Sequence, residues 1–187
     1  MSESSCASDP FSWVREDARP RLLIVLGVLL AIVTGWLLAE GRALVTEAAP
    51  NGVVSLELAG TRERAAEILG SWSPRAREAF AFVQGLDTLY LVLYAGWLSL
   101  AVASLARRLR GAWRRVGLAL SWLILLAGGL DLVENWALDV ELARGASAFH
   151  ARLAWACALP KFALVALAGA FLAIGLAAWL RDRRRAG

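Results

Sequence analysis

The chain has 187 residues, 59% of them hydrophobic, with a mean hydropathy of +0.57 and a formal net charge of +4. That apolar share exceeds the roughly 45–50% of a soluble domain and suits about four membrane spans of ~20 residues. The two cysteines, Cys6 and Cys157, make no disulfide framework, and the single histidine, His150, excludes a histidine-rich metal site.

Residues 1–20 form a polar tail carrying Arg15 and Arg19. The first uncharged apolar run covers residues 22–39. It is longer than the roughly 7–15 residues of a signal-peptide core, and the tail before it is long for a signal. A retained span is therefore expected rather than a cleaved leader. Residues 41–79 are the only sizeable extramembrane piece. Asn51-Gly52 marks a turn, and residues 53–58 alternate weakly, as a short strand or extended stretch would. Thr61 reads as the N-cap of a short helix that Gly70 stops, and Ser73-Pro74 as the start of another that runs into the second span. Trp72 lies between these two helices and is expected to dock on the bundle or the membrane surface.

The second span is read at residues 81–106 and contains Asp87, Tyr90 and Tyr94. The third, residues 116–138, contains Asp131, Glu134 and Asn135; the fourth, residues 154–180, contains Lys161. A basic tail, residues 181–187, closes a single membrane domain of residues 21–180. The predicted fold is thus an all-α membrane protein, a four-helix transmembrane bundle with a small extracytoplasmic cap between spans 1 and 2.

Arginine placement sets the expected orientation. Residues 106–115 carry five arginines and the C-terminal tail four, whereas the arginines of residues 41–79 are spread out and balanced by glutamates. Under the positive-inside rule both termini are cytoplasmic. The basic charge does not point to nucleic acid, because no basic stripe is interleaved with aromatics. Trp36, Trp97, Trp122, Trp136, Trp155 and Trp179 mostly fall toward span ends, as an interfacial aromatic belt requires.

With that orientation, Asp87, Asp131, Glu134, Asn135 and Lys161 all fall near the outer ends of their spans, about 5–12 Å inside the boundary at ~1.5 Å per residue. Helical spacing puts Asp131, Glu134, Asn135 and Leu138 on one stripe, and Asp87, Tyr90 and Tyr94 on another. Lys161 is the only lysine among 20 basic residues; it shares a face with Ala154, Cys157, Ala168 and Gly175, and Pro160 before it invites a kink. Two readings follow. In one, Lys161 pairs with Asp131 or Asp87, Asn135 bonds across helices, and the network only fixes helix register. In the other, the excess of acid over base, unless Arg152 snorkels in and balances one carboxylate, marks a site for a lipid or small molecule. The lysine argues against a metal there, and no cofactor or catalytic residue is assigned. Assembly with a membrane-protein partner or as a homo-oligomer is the alternative. An acid–base enzyme or a proton-coupled transporter is a further one.

Ser55-Leu56-Glu57-Leu58-Ala59-Gly60-Thr61, Trp72, Asp87 with Tyr94, Asp131-Leu132-Val133-Glu134-Asn135 and Pro160-Lys161-Phe162 together resemble an uncharacterised family of four-span bacterial integral membrane proteins. The resemblance covers residues 50–165, and its most recognisable part is the Asp-x-x-Glu-Asn element. It implies four spans in the bacterial cytoplasmic membrane and no particular reaction.

Overall fold

The computed structural model describes residues 8–186, with side chains from Ser8 to Arg181. Cys6 and the tail arginines Arg183, Arg184 and Arg185 lie outside the described side chains. Among the described residues every regular element is helical. Four long helices carry the chain back and forth: α1 (Arg19–Gly41), α4 (Pro74–Ala106), α5 (Gly111–Arg144) and α6 (Ala148–Ala186). Two short ones, α2 (Val53–Glu57) and α3 (Arg62–Ser71), build the cap.

Several helix ends are local sequence effects. The Thr61 hydroxyl accepts the Arg64 N–H and the Ser73 hydroxyl accepts the Ala76 N–H, so both serve as N-caps, with Pro74 at the first helical position. Gly111 at φ +60° and Gly145 at φ +87° make the sharp exits around α5, in a region that costs a side chain dearly. Pro160 sits inside α6 without interrupting it; the expected kink does not break the helix.

All four long helices have apolar stretches of spanning length, and their outward faces are rich in large apolar side chains. Ile24, Val28, Ile32, Val92, Leu126, Leu167 and Ile174 are each more than half exposed. Water would not tolerate a surface this apolar on a monomer, and lipid prefers it. The helices also run past the apolar runs that mark the spans. At 33, 34 and 39 residues, α4, α5 and α6 exceed the ~20 needed to cross the hydrocarbon. The extra turns at their cap-side ends embrace the cap.

The helix order is asymmetric. α5 is central, packed against α4 and α6, while α1 lies against α4. Close approach depends on small residues. A Cβ on Gly117 would come within 2.5 Å of Phe171 and 2.6 Å of Ala106, one on Gly128 within 2.9 Å of Ala95, and one on Gly175 within 2.9 Å of Leu105. Ala154, Cys157 and Ala168, expected on the Lys161 face, are buried as well.

The cap is sunk between helix ends rather than laid over them. Leu44, Leu56, Ile68, Leu69 and Trp72 share one core with Ala76 and Phe80 of α4, Leu138 of α5 and Ala154 of α6. Trp72 fixes it twice: its indole N–H donates to the Leu44 carbonyl at 2.9 Å, and its ring packs on Phe80 at 5.0 Å. The expected strand at residues 53–58 is instead α2. Alternation would turn Leu56 and Glu57 to opposite faces, yet both are buried. A helical turn satisfies both, with Leu56 in the cap core and Glu57 toward the bundle.

Opposite the cap, an N-terminal arm folds over the ends of α1, α4 and α5. Asp9 accepts the Phe11 N–H and bonds the guanidinium groups of Arg19 at 2.6 Å and Arg107 at 3.2 Å. The Trp122 indole N–H of α5 donates to the Ser8 carbonyl at 2.7 Å. Burial raises the Asp9 carboxyl, but the Phe11 amide and the two arginines outweigh it and hold the group below its ordinary value.

Candidate functional site

Asp87, Asp131 and Lys161 each lie thirteen residues in from the cap-side ends of their helices, Pro74, Arg144 and Ala148. At 1.5 Å per residue that is ~20 Å below those ends. The shared level read from the sequence is therefore present, with helix ends that project further than the apolar runs implied.

Lys161 is the centre of the cluster. Its ammonium donates to Asp131 Oδ1 at 2.9 Å and to Glu134 Oε1 at 2.9 Å, with Glu134 Oε2 also at 2.9 Å. Glu57 Oε2 descends from the cap to within 3.7 Å of the same nitrogen, and the Phe162 ring lies 4.8 Å away. Lys161, Asp131 and Glu134 are nearly inaccessible. Asp87 does not pair with Lys161; its Oδ2 accepts from Asn135 Nδ2 at 2.7 Å. Arg152 is exposed and stays out of the cluster, so it balances nothing there. Three carboxyls thus contact one ammonium, and a fourth stands at the same level.

Glu57 is the member that a reading of the sequence passes over. Residues 53–58 taken as extended would leave it on a polar face. A helical reading places Val53, Leu56 and Glu57 on one stripe, a buried one, and that is the signal the sequence offers. Burial pushes the Glu57 carboxyl above the usual range; the Lys161 ammonium opposes this, and the Asp87 and Asp131 carboxylates add to it.

The cluster forms the floor of a cleft of about 450 Å³. Asp87, Tyr90, Tyr94, Asp131 and Lys161 line it, with Glu57, while Glu134 and Asn135 stand behind as supports. Its walls are apolar: Leu30 and Leu37 of α1, Val54 of the cap, Leu98 of α4 and Val165 of α6. Because α1 rests on α4, the cleft lies in the gap between α1 and α6 with α4 at its back. Among the described residues three buried polar atoms of the cluster and its surround complete no hydrogen bond: the Tyr94 hydroxyl, and Glu134 Oε2 and Glu57 Oε2, which meet Lys161 as ion pairs. The volume is that of a typical small-molecule site, mostly apolar with a few convergent polar groups.

Trp136 does not line the cleft. It is half exposed and packs edge-on against His150, whose Nδ1 bonds the Ser147 hydroxyl at 2.7 Å. Among the described residues no group of histidine, cysteine, aspartate and glutamate is arranged to hold a metal ion.

Fold and surface together define a multi-pass α-helical membrane protein. Compared with protein-family models, curated proteins and solved structures, the chain matches none of them.

Proposed function

We propose that this protein binds an amphiphile, a lipid or small molecule, in the cleft between α1 and α6. The apolar part lies among Leu30, Leu37, Val54 and Val165, and a hydrogen-bond-donating or cationic head faces Glu57, Asp87, Asp131 and Tyr94. One observation carries this reading: an apolar-walled cleft that ends on a surplus of carboxyls. A purely structural pair needs one acid and one base. Four acids to one ammonium leave charge that must be protonated or matched, since an unmatched buried carboxylate costs several kcal/mol. The arginine distribution supports an orientation with both termini cytoplasmic, which would put the cleft in the outer half. The resemblance to four-span bacterial membrane proteins fits the same setting.

Acid–base chemistry on a bound lipid is the second reading, favoured by the 2.9 Å Lys161–Asp131 pair at the floor of an accessible cleft. Assembly through helix faces draws on the exposed small residues Ala163, Ala166, Ala170 and Ala173 of α6, but that role does not call for a cleft.

Native mass spectrometry of the detergent-purified protein tests the proposal. A co-purifying molecule is expected on the wild type. Asp131→Asn, which alters the head site, and Leu37→Trp, which fills the apolar wall, should each reduce its retention at least about tenfold, the loss of ~1.4 kcal/mol. Equal retention by all three proteins defeats the proposal. A mass change in an added lipid that Asp131→Asn abolishes selects the enzymatic reading.

A further inference from the structure

At the end opposite the cap, a second pocket of about 460 Å³ opens between the start of α1, the end of α4 and the start of α5. Arg19, Arg107, Arg108, Arg114, Ser104 and Glu16 supply its polar lining. Arg19 is 5% exposed, and its guanidinium is only partly used. Nη2 serves Asp9 and the Phe11 carbonyl, and Nε serves the Val14 carbonyl at 3.4 Å, but the buried Nη1 has no partner among the described residues. The buried Ser104 hydroxyl has none either. Glu16 is taken up by an ion pair with Arg107, and Arg108 sits over the Trp179 ring at 5.1 Å.

Among the described residues two carboxylates, Asp9 and Glu16, therefore answer four guanidiniums. Arg19 and Ser104, which carry the orphaned buried N–H and hydroxyl, line the same pocket. A buried donor without an acceptor is costly, so a site that keeps one is suited to receive an acceptor. Guanidinium forks match phosphate oxygens, and a phosphate presents enough oxygens to meet Arg19, Ser104, Arg108 and Arg114 together.

We infer that this pocket binds a phosphate group, with the Arg19 Nη1 and Ser104 hydroxyl as its buried donors and Arg108 and Arg114 closing over it. The phosphate comes either from an anionic lipid headgroup at the level where α1 enters the membrane or from a small phosphorylated solute.

The test uses the full chain in nanodiscs or detergent. Lipid arms compare phosphatidylglycerol with phosphatidylcholine by native mass spectrometry, and a solute arm titrates inorganic phosphate by thermal shift. Arg114→Gln and Ser104→Ala leave the Asp9–Arg19 contact intact, so they keep the arm folded where Arg19→Gln would loosen it. The expected result is preferential retention of phosphatidylglycerol, or stabilisation by phosphate, that falls about fivefold in Arg114→Gln, the ~1 kcal/mol of one arginine near a membrane surface. Retention confined to phosphatidylglycerol assigns the lipid source; stabilisation by free phosphate assigns the solute. No anion effect in either arm, or an effect that neither variant changes, overturns the inference.

Discussion

Lys161 holds the Asp131 and Glu134 carboxyls by 2.9 Å contacts, and removing it leaves both in an uncompensated dry environment. Lys161→Met should lower unfolding stability by about 3–5 kcal/mol, the cost of breaking a buried pair from one side, read as a fall in the thermal transition of the detergent-solubilised protein. Asp87→Asn should cost under ~1 kcal/mol, because its bond comes from Asn135 and an amide oxygen still accepts it. Glu57 has the opposite sense to a stabilising ion pair. Its folded carboxyl is raised, so the folded state holds a proton that the unfolded chain releases, and its contribution to stability falls as pH rises above the ordinary glutamate value. Glu57→Gln should therefore stabilise the protein at neutral pH and lose that advantage below pH ~4, where the unfolded glutamate is protonated too. A stability difference between the two proteins that did not change with pH would contradict the raised carboxyl.

Helix-level behaviour follows from the packing around α5. Gly117→Ala drives a methyl into Phe171 and Ala106 and should destabilise by about 1–3 kcal/mol, whereas Gly169→Ala, which meets no neighbouring atom, should be near neutral. Thermal melts of the two variants make the comparison. The four long helices were legible because an apolar run of spanning length must satisfy its backbone internally, and in lipid a helix does so. The extra turns of α4 over residues 74–80 were legible too, since Ser73-Pro74 reads as a helix start that runs into the second span; those of α5 over residues 139–144 were not, because Asp139, Glu141 and Arg144 break the apolar run that marks the span. The N-caps at Thr61 and Ser73 were readable from side-chain chemistry alone. α2 was not, because five residues carry too little periodicity to separate a helical turn from an extended stretch, and Glu57 stayed hidden with it. The level shared by Asp87, Asp131 and Lys161 was legible from orientation and spacing, but which acids touch Lys161 depends on helix rotation. Periodicity fixes a stripe, not the partner it faces, and the helices turn Glu134 toward Lys161 where Asp87 stood as a candidate.

Across the whole molecule, two ends with different chemistry stand apart. One is acidic, apolar-walled and plugged by the cap; the other is rich in arginine and closed by the N-terminal arm. Orientation decides which faces the cytoplasm. In a Cys6→Ser background, Glu47→Cys in the cap should react with a membrane-impermeant maleimide on intact cells, and Arg110→Cys only after permeabilisation; the reverse pattern contradicts the arginine rule. The position of α1 matters equally. It rests on α4 and leaves one side of the cleft as a seam with α6, so a bound chain can extend past a pocket of about 450 Å³ into the bilayer. The most direct measurement is a structure in lipid nanodiscs at a resolution that shows lipid density. Elongated density between α1 and α6, its head within ~3 Å of Glu57, Asp87 or Asp131, is the predicted result. A cleft closed by α1 and α6, or one filled by water alone over a fully paired cluster, would contradict it.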